Sequence, residues 1–263
     1  MSNRISITRD GAVAVVTMTR PDKLNALDIE QIEALVAAGE ELKAARDVRA
    51  VVLVGEGDSF CAGLDVAAMP KLAELANTTG FTTRTHGASN LFQAAVMVWT
   101  ELPQPVIAAV TGNALGGGFQ LMLGADIRVA APDARFSVME GRWGIVPDMG
   151  GMVLMPRLAR SDVIRRLTYT AEVFGAEAAL DWGFVTEIAE SPLARATALA
   201  QEIAARSPDA VRMAKRLISD TALMAPREAL IAESAAQEKL VGQPNQMEAV
   251  MAGMQKRTPV FKD

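Results

Sequence analysis

The stretch running from Pro105 to Gly124 constrains this chain most. An apolar run over residues 105–110 leads into Thr111-Gly112-Asn113-Ala114-Leu115-Gly116-Gly117-Gly118-Phe119-Gln120, and a helix-like segment follows that ends at Gly124. A strand that passes through consecutive glycines into a helix leaves backbone N–H groups at a positive helix end, with no Cβ to block a ligand. That arrangement suits an anionic oxygen. No Lys-Ser/Thr pair follows the glycines and the Gly-x-Gly-x-x-Gly spacing is absent, so the turn is built for something other than a nucleotide phosphate.

A second turn of the same kind lies upstream, in Val51-Val52-Leu53-Val54-Gly55-Glu56-Gly57-Asp58-Ser59-Phe60-Cys61-Ala62-Gly63-Leu64-Asp65: strand, small-residue turn, helix. Two such turns, each after its own strand, can each donate an N–H to one oxygen, which is how an oxyanion hole is made from main chain. The pair Ala62-Gly63-Leu64-Asp65 and Gly112-x3-Gly116-Gly117-Gly118, with Arg20-Pro21-Asp22-Lys23-Leu24-Asn25-Ala26-Leu27 near the start, resembles the crotonase superfamily, the enoyl-CoA hydratases and isomerases. The resemblance runs from about residue 5 to the C-terminus and is specific through the combination of motifs.

Composition narrows the alternatives. A chain of 263 residues with 50% hydrophobic content is long enough for one large core and a smaller helical appendage. No apolar run reaches membrane length, and the polar, strand-like residues 1–10 are no signal peptide, so a cytoplasmic protein without membrane attachment is expected. One cysteine, Cys61, excludes an internal disulfide framework, and one histidine, His86, leaves too few soft ligands for a zinc site. No metal is expected. A net charge of −5 offers nucleic acid no general attraction, so an anionic ligand must be held locally.

Strand-like runs occupy residues 12–19, 49–55, 105–111 and 126–130, with a short extension at 135–137, and helical recurrence marks 28–45 and 91–102. The alternation suggests repeated β-β-α turns about a common core in an α/β protein, and a spiral of that kind is what the resemblance implies. From about residue 191 only helices follow, over 192–205, 208–223, 226–241 and 243–254, each starting at or near a proline. The chain therefore divides into a spiral core over 1–190 carrying the site and a helical C-terminal domain over 191–263; in the family the latter packs into homotrimers, often doubled to homohexamers. Most of the fourteen methionines serve packing. Residues 69–90 are polar, Thr-rich and weakly periodic, a segment expected to be poorly ordered; in the family the corresponding loop lies over the acyl chain. His86, within it, reads as solvent-exposed, and Cys61 as a small residue of the turn with no adjacent histidine to activate it.

Family hydratases carry two glutamates about the substrate. Here the first position, two residues after the glycine run, holds Gln120, whose amide neither takes nor gives a proton at neutral pH. The second is retained as Glu140, in Ala134-Arg135-Phe136-Ser137-Val138-Met139-Glu140. Asp148, eight residues on in Trp143-Gly144-Ile145-Val146-Pro147-Asp148, stands where the dienoyl-CoA isomerases of the superfamily carry an aspartate. The alternative role for Asp148 is to cap the helix beginning near Gly150.

What the resemblance implies is a thioester oxygen held by the N–H groups of Leu64 and Gly117, with Glu140 as base and Asp148 returning the proton. Phe136, Met139 and Trp143 are candidates for an apolar wall that raises the pKa of Glu140. Coenzyme A, entering as part of the substrate and not as a separate cofactor, would lie along Lys23, Ala26, Leu27, Ala62 and Asp65, with Lys256 of the last helix as a basic contact. Asp65 can equally cap the helix after the first turn, and Lys256 can be a solvated charge. The resulting reading is an acyl-CoA double-bond isomerase. An enoyl-CoA hydratase using Glu140 with Gln120 or Asp148, a hydrolytic or dehalogenase-like activity through Asp148, and a non-catalytic acyl-CoA-binding protein stand beside it.

Overall fold

The computed structural model describes residues 4–263, so residues 1–3 of the strand-like opening lie outside it. The strands are β1 (Ile5–Asp10), β2 (Val13–Met18), β3 (Ala50–Gly55), β4 (Val106–Val110), β5 (Asn113–Leu115), β6 (Ile127–Ala130), β7 (Arg135–Ser137), β8 (Phe174–Gly175) and β9 (Glu187–Ile188). The helices of the first half are α1 (Ile29–Ala44), α2 (Met69–Asn77), α3 (Leu91–Glu101) and α4 (Gly117–Leu123). Those of the second half are α5 (Gly151–Leu154), α6 (Ser161–Thr170), α7 (Ala176–Asp181), α8 (Pro192–Ala204), α9 (Pro208–Thr221), α10 (Pro226–Glu238) and α11 (Pro244–Gln255).

Six strands form the main sheet in the order β1-β2-β3-β4-β6-β9, antiparallel only between β1 and β2. Both faces of its centre are covered, which is why these strands read as unbroken apolar runs rather than as alternating ones. Val51, Leu53, Val106, Ala108 and Val110 face the core shared with α1 and α3, while Ala50, Val52, Val54, Ile107, Ala109 and Val129 pack with Ala196 and Ala200 of α8. The first of the C-terminal helices is thus part of the sheet's own packing. At about 1.5–3 kcal/mol for each fully buried valine or isoleucine, this second layer is a large share of the stability.

A second, small sheet carries the site. It has the order β5-β7-β8, with β5 and β7 parallel, and isolated bridges extend it: Cys61 pairs with Ala114 and Leu27 with Leu64. Each circuit of the chain through the main sheet therefore returns one rung to the same small layer, the β-β-α spiral that the sequence suggests.

Two departures from expectation have local causes. Residues 69–77 form a helix, α2, where the sequence shows only weak periodicity: Pro70 occupies the first turn, and Leu72 and Leu75 pack against the core. The glycine motif also contains a strand, β5, which forms because its neighbours β7 and Cys61 supply partners that the local sequence cannot reveal.

The C-terminal helices are tied down by a buried cation. Lys215 of α9 donates through Nζ to the carbonyls of Trp99 (3.1 Å) and Gln104 (2.9 Å) and pairs with Asp126 at 2.8 Å. Burial holds its ammonium pKa below the ordinary value, and the Asp126 charge opposes that shift.

Candidate active site

Three segments stack to form the site: residues 20–28, 60–65 and 111–120. Ala62 N–H donates to Leu24 O, Leu27 N–H to Gly63 O, and Asp65 N–H to Leu27 O. On the other side, Phe60 N–H donates to Thr111 O, Cys61 N–H to Asn113 O, and Leu115 N–H to Cys61 O. Arg20 staples the stack, pairing with Asp28 (3.3 Å) and Asp65 (2.8 Å) while donating to Ala26 O. Asn25, fully buried at a left-handed φ of 55°, donates to the carbonyls of Glu56 and Ser59 and accepts from Arg20 N–H. Sequence reasoning overlooked Arg20 and Asn25 as builders of the site; the signal was an Asn in a polar turn, a residue type that tolerates this backbone.

The two turns touch. Gly63 has φ +90°, and a Cβ there would sit 2.5 Å from Leu115 O and 3.5 Å from Gly117 N. Gly116, at φ 51° and ψ −118°, occupies a region open only to glycine and delivers Gly117 as the first residue of α4. Among the described residues neither the Leu64 N–H nor the Gly117 N–H donates a hydrogen bond. Unsatisfied donors at the first position of a helix are available to a ligand. Leu27 and Met149 lie against Gly117, making its surroundings apolar.

Glu140 opens a 3₁₀ turn, Glu140–Trp143, just after β7. It lies against Gly116, whose added Cβ would be 3.5 Å from Glu140 Oε1. The carboxyl is 7% exposed; Oε1 accepts from Gln120 Nε2 at 2.6 Å, and Oε2 is buried without a partner. Burial raises its pKa above the ordinary carboxylate value, a shift opposed by hydrogen bonds that include the one from Gln120.

Gln120 has no freedom of its own. It is 1% exposed, and its Oε1 accepts from the N–H groups of Met149 (2.9 Å) and Gly151 (2.9 Å). Those two donors force the amide nitrogen toward Glu140. The side chain thus joins Glu140 to the 147–151 turn. Phe119 beside it sets α4 in place, with its ring centroid 5.2 Å from Phe184, 5.8 Å from Phe174 and 6.4 Å from Phe136.

Asp148 does not cap α5, whose first turn follows Gly150 with no side-chain cap. Its Oδ1 accepts from Gln93 Nε2 at 2.7 Å and its Oδ2 from Asn90 Nδ2 at 3.3 Å. No hydrogen bond joins it to Glu140 directly. Asp65 does cap the turn after the first loop, accepting from Ala67 N–H, and this bond together with Arg20 holds its pKa below the ordinary value. Burial pushes the Cys61 thiol up to about 12, which leaves it inert.

Other expected positions lie at the margin. Phe136 is buried in the ring cluster, Trp143 is 49% exposed, and Lys23 is exposed beside the stacked segments. Lys256 ends α11 at a left-handed φ of 54°, with no side-chain hydrogen bond or ion pair among the described residues. A cavity of about 400 Å³ opens under residues 79–92, lined by Val36, Leu75, Phe81 and Phe92 and reaching Asn90 and His86, which is exposed. A cavity of about 970 Å³ between α9, α11 and the end of α3 contains none of these site residues.

The spiral, its shared rungs and two unengaged N–H donors on neighbouring turns near a buried acid suit a crotonase-type α/β enzyme. The chain belongs to the enoyl-CoA hydratase/isomerase family, whose sequence model matches residues 8–263. It is 33% identical over 260 residues to the short-chain-enoyl-CoA hydratase of Clostridium acetobutylicum, covering 97% of this chain and 96% of that one. It is also 32% identical over 231 residues to the carnitinyl-CoA dehydratase of Salmonella enteritidis, at 87% and 85% coverage. The crystal structure of an enoyl-CoA hydratase from Bacillus anthracis superimposes with a TM-score of 0.91 at 30% identity, covering 99% of both chains. Among the described residues no helix is long and apolar enough to cross a membrane.

Proposed function

We propose that this enzyme moves a double bond along an acyl-CoA thioester, with one buried carboxylate as the base. The thioester oxygen lies between the N–H groups of Leu64 and Gly117. As Glu140 Oε2 removes a proton from the α or γ carbon, charge gathers on that oxygen, where each preorganised donor lowers the barrier by roughly 3–4 kcal/mol. Asp148, carrying a proton taken from solvent, delivers it to the other end of the conjugated system, and Glu140 gives the proton it removed back to solvent before the next turnover. Coenzyme A follows Lys23, Ala26, Leu27, Ala62 and Asp65, with Lys256 as a basic contact, and the acyl chain extends toward the cavity under residues 79–92.

The observation that carries this reading is the state of Gln120. Hydration with two carboxylates needs an acid where this amide stands, and the amide has little left to hold a water: Oε1 already accepts twice and Nε2 donates to Glu140. Glu140 Oε2, by contrast, is buried and left without a partner. Burial, which raises the Glu140 pKa above the ordinary carboxylate value, strengthens it as a base.

A hydratase is the second reading, favoured by the names of the relatives, with Glu140 acting on water alone or with Asp148. Incubation with crotonyl-CoA and with a 3,5-dienoyl-CoA, followed by ultraviolet absorbance, separates the two. Migration of the dienoyl double bonds with slow or absent crotonyl hydration is the expected result; efficient hydration of crotonyl-CoA with an inert dienoyl substrate would overturn the isomerase reading.

A further inference from the structure

We infer that Asn90 and Gln93, the capping pair of α3, are positioning residues for Asp148; this rests on the isomerase reading. The pair forms a capping box: Asn90 Oδ1 accepts from Gln93 N–H at 2.9 Å, and Gln93 Oε1 accepts from Asn90 N–H at 3.1 Å. Gln93 Oε1 also accepts from Arg84 Nη1 at 2.9 Å. With both amide oxygens turned to N–H donors, both amide nitrogens must point the other way, and they meet the two oxygens of Asp148.

The helix cap therefore fixes the rotation of the carboxylate. A carboxylate held at both oxygens keeps one orientation, which a proton-returning group needs, because a displacement of about 1 Å at a reacting centre costs up to roughly a hundredfold in rate. Asn90 Nδ2 also donates to Phe81 O at 3.1 Å, and Arg84 contacts Gln93, so the segment over the 400 Å³ cavity and Asp148 share one pair of side chains.

Two isosteric substitutions separate positioning from capping. Gln93→Glu and Asn90→Asp keep every oxygen of the capping box and are favoured residue types at a helix N-terminus, yet each replaces a donor to Asp148 with a repelling oxygen. We expect a cooperative transition with Tm at or somewhat below the parent's, because the retained cap is offset by repulsion from Asp148, KM within about twofold, and kcat down by about ten- to a hundredfold in Gln93→Glu and less in Asn90→Asp, whose bond is longer. Exchange of the proton taken by Glu140 for solvent deuterium should persist in both, as in Asp148→Asn. Parental kcat in both variants would overturn the inference and leave the pair as a helix cap only. If Asp148→Asn kept parental turnover, the isomerase reading itself would fall. Should Gln93→Glu lose its cooperative unfolding transition, Asn90→Ser, which retains a capping oxygen and lacks Nδ2, decides between the same two results.

Discussion

Glu140 and Asp148 carry the same functional group eight residues apart, and the fold treats them in opposite ways. Glu140 is buried against a glycine turn with one amide on Oε1 and nothing on Oε2. Asp148 is partly exposed and has a side-chain amide on each oxygen. A buried acid with one oxygen left unpartnered is set up to take a proton, whereas one gripped at both oxygens meets the substrate in a single fixed direction. Gln120 links their surroundings, with its amide nitrogen on Glu140 and its oxygen on the turn that bears Asp148.

The largest test of this contrast is Glu140→Gln. Turnover should fall by about a thousandfold or more, the scale of lost general-base catalysis, with acyl-CoA affinity nearly intact by calorimetry. Stability should move the other way. A carboxyl whose folded pKa is raised contributes stability that is present below its unfolded pKa and lost as pH rises through the folded pKa. At neutral pH the variant should therefore unfold at a higher temperature than the parent, and the difference should shrink toward about pH 4.

Disturbing the oxyanion side comes next. Gly116→Ala forces a Cβ into a backbone region reserved for glycine and toward Glu140, and kcat should fall by about a hundredfold as the Gly117 N–H is displaced. A smaller shift is expected for Gln120→Glu, measured as a pH–rate profile. Two carboxylates 2.6 Å apart cannot both ionise freely, so the pH at which activity appears should rise. Crotonyl-CoA hydration should also increase, since the variant regains a second acid. For the unsubstituted enzyme, kcat/KM should decline as pH falls through a value above the ordinary carboxylate range.

The sequence carried the main sheet and the C-terminal helices plainly, for physical reasons. Strands buried on both faces need β-branched runs such as Val51-Val52-Leu53-Val54, and α8, α9, α10 and α11 each begin at a proline. What stayed hidden depends on contacts distant in the chain. β8 and β9 are two residues long and exist only through their partners, and α2 is held by packing that a Thr-rich neighbourhood obscures. Glu140 stood out as an acid in a motif. The saturation of Gln120 did not, because its two backbone donors lie 29 and 31 residues away. The box at Asn90 and Gln93 went unread in the sequence, and its second use, holding Asp148, depends on a residue 55 positions away from Gln93 that only the fold brings near.

The most direct test is a crystal structure with a slowly reacting enoyl-CoA bound. The thioester oxygen should lie within hydrogen-bonding distance, about 3 Å, of both Leu64 N and Gly117 N, with Glu140 Oε2 facing the α or γ carbon. A carbonyl bound away from those two nitrogens, or with Glu140 turned from the acyl chain, would contradict the account.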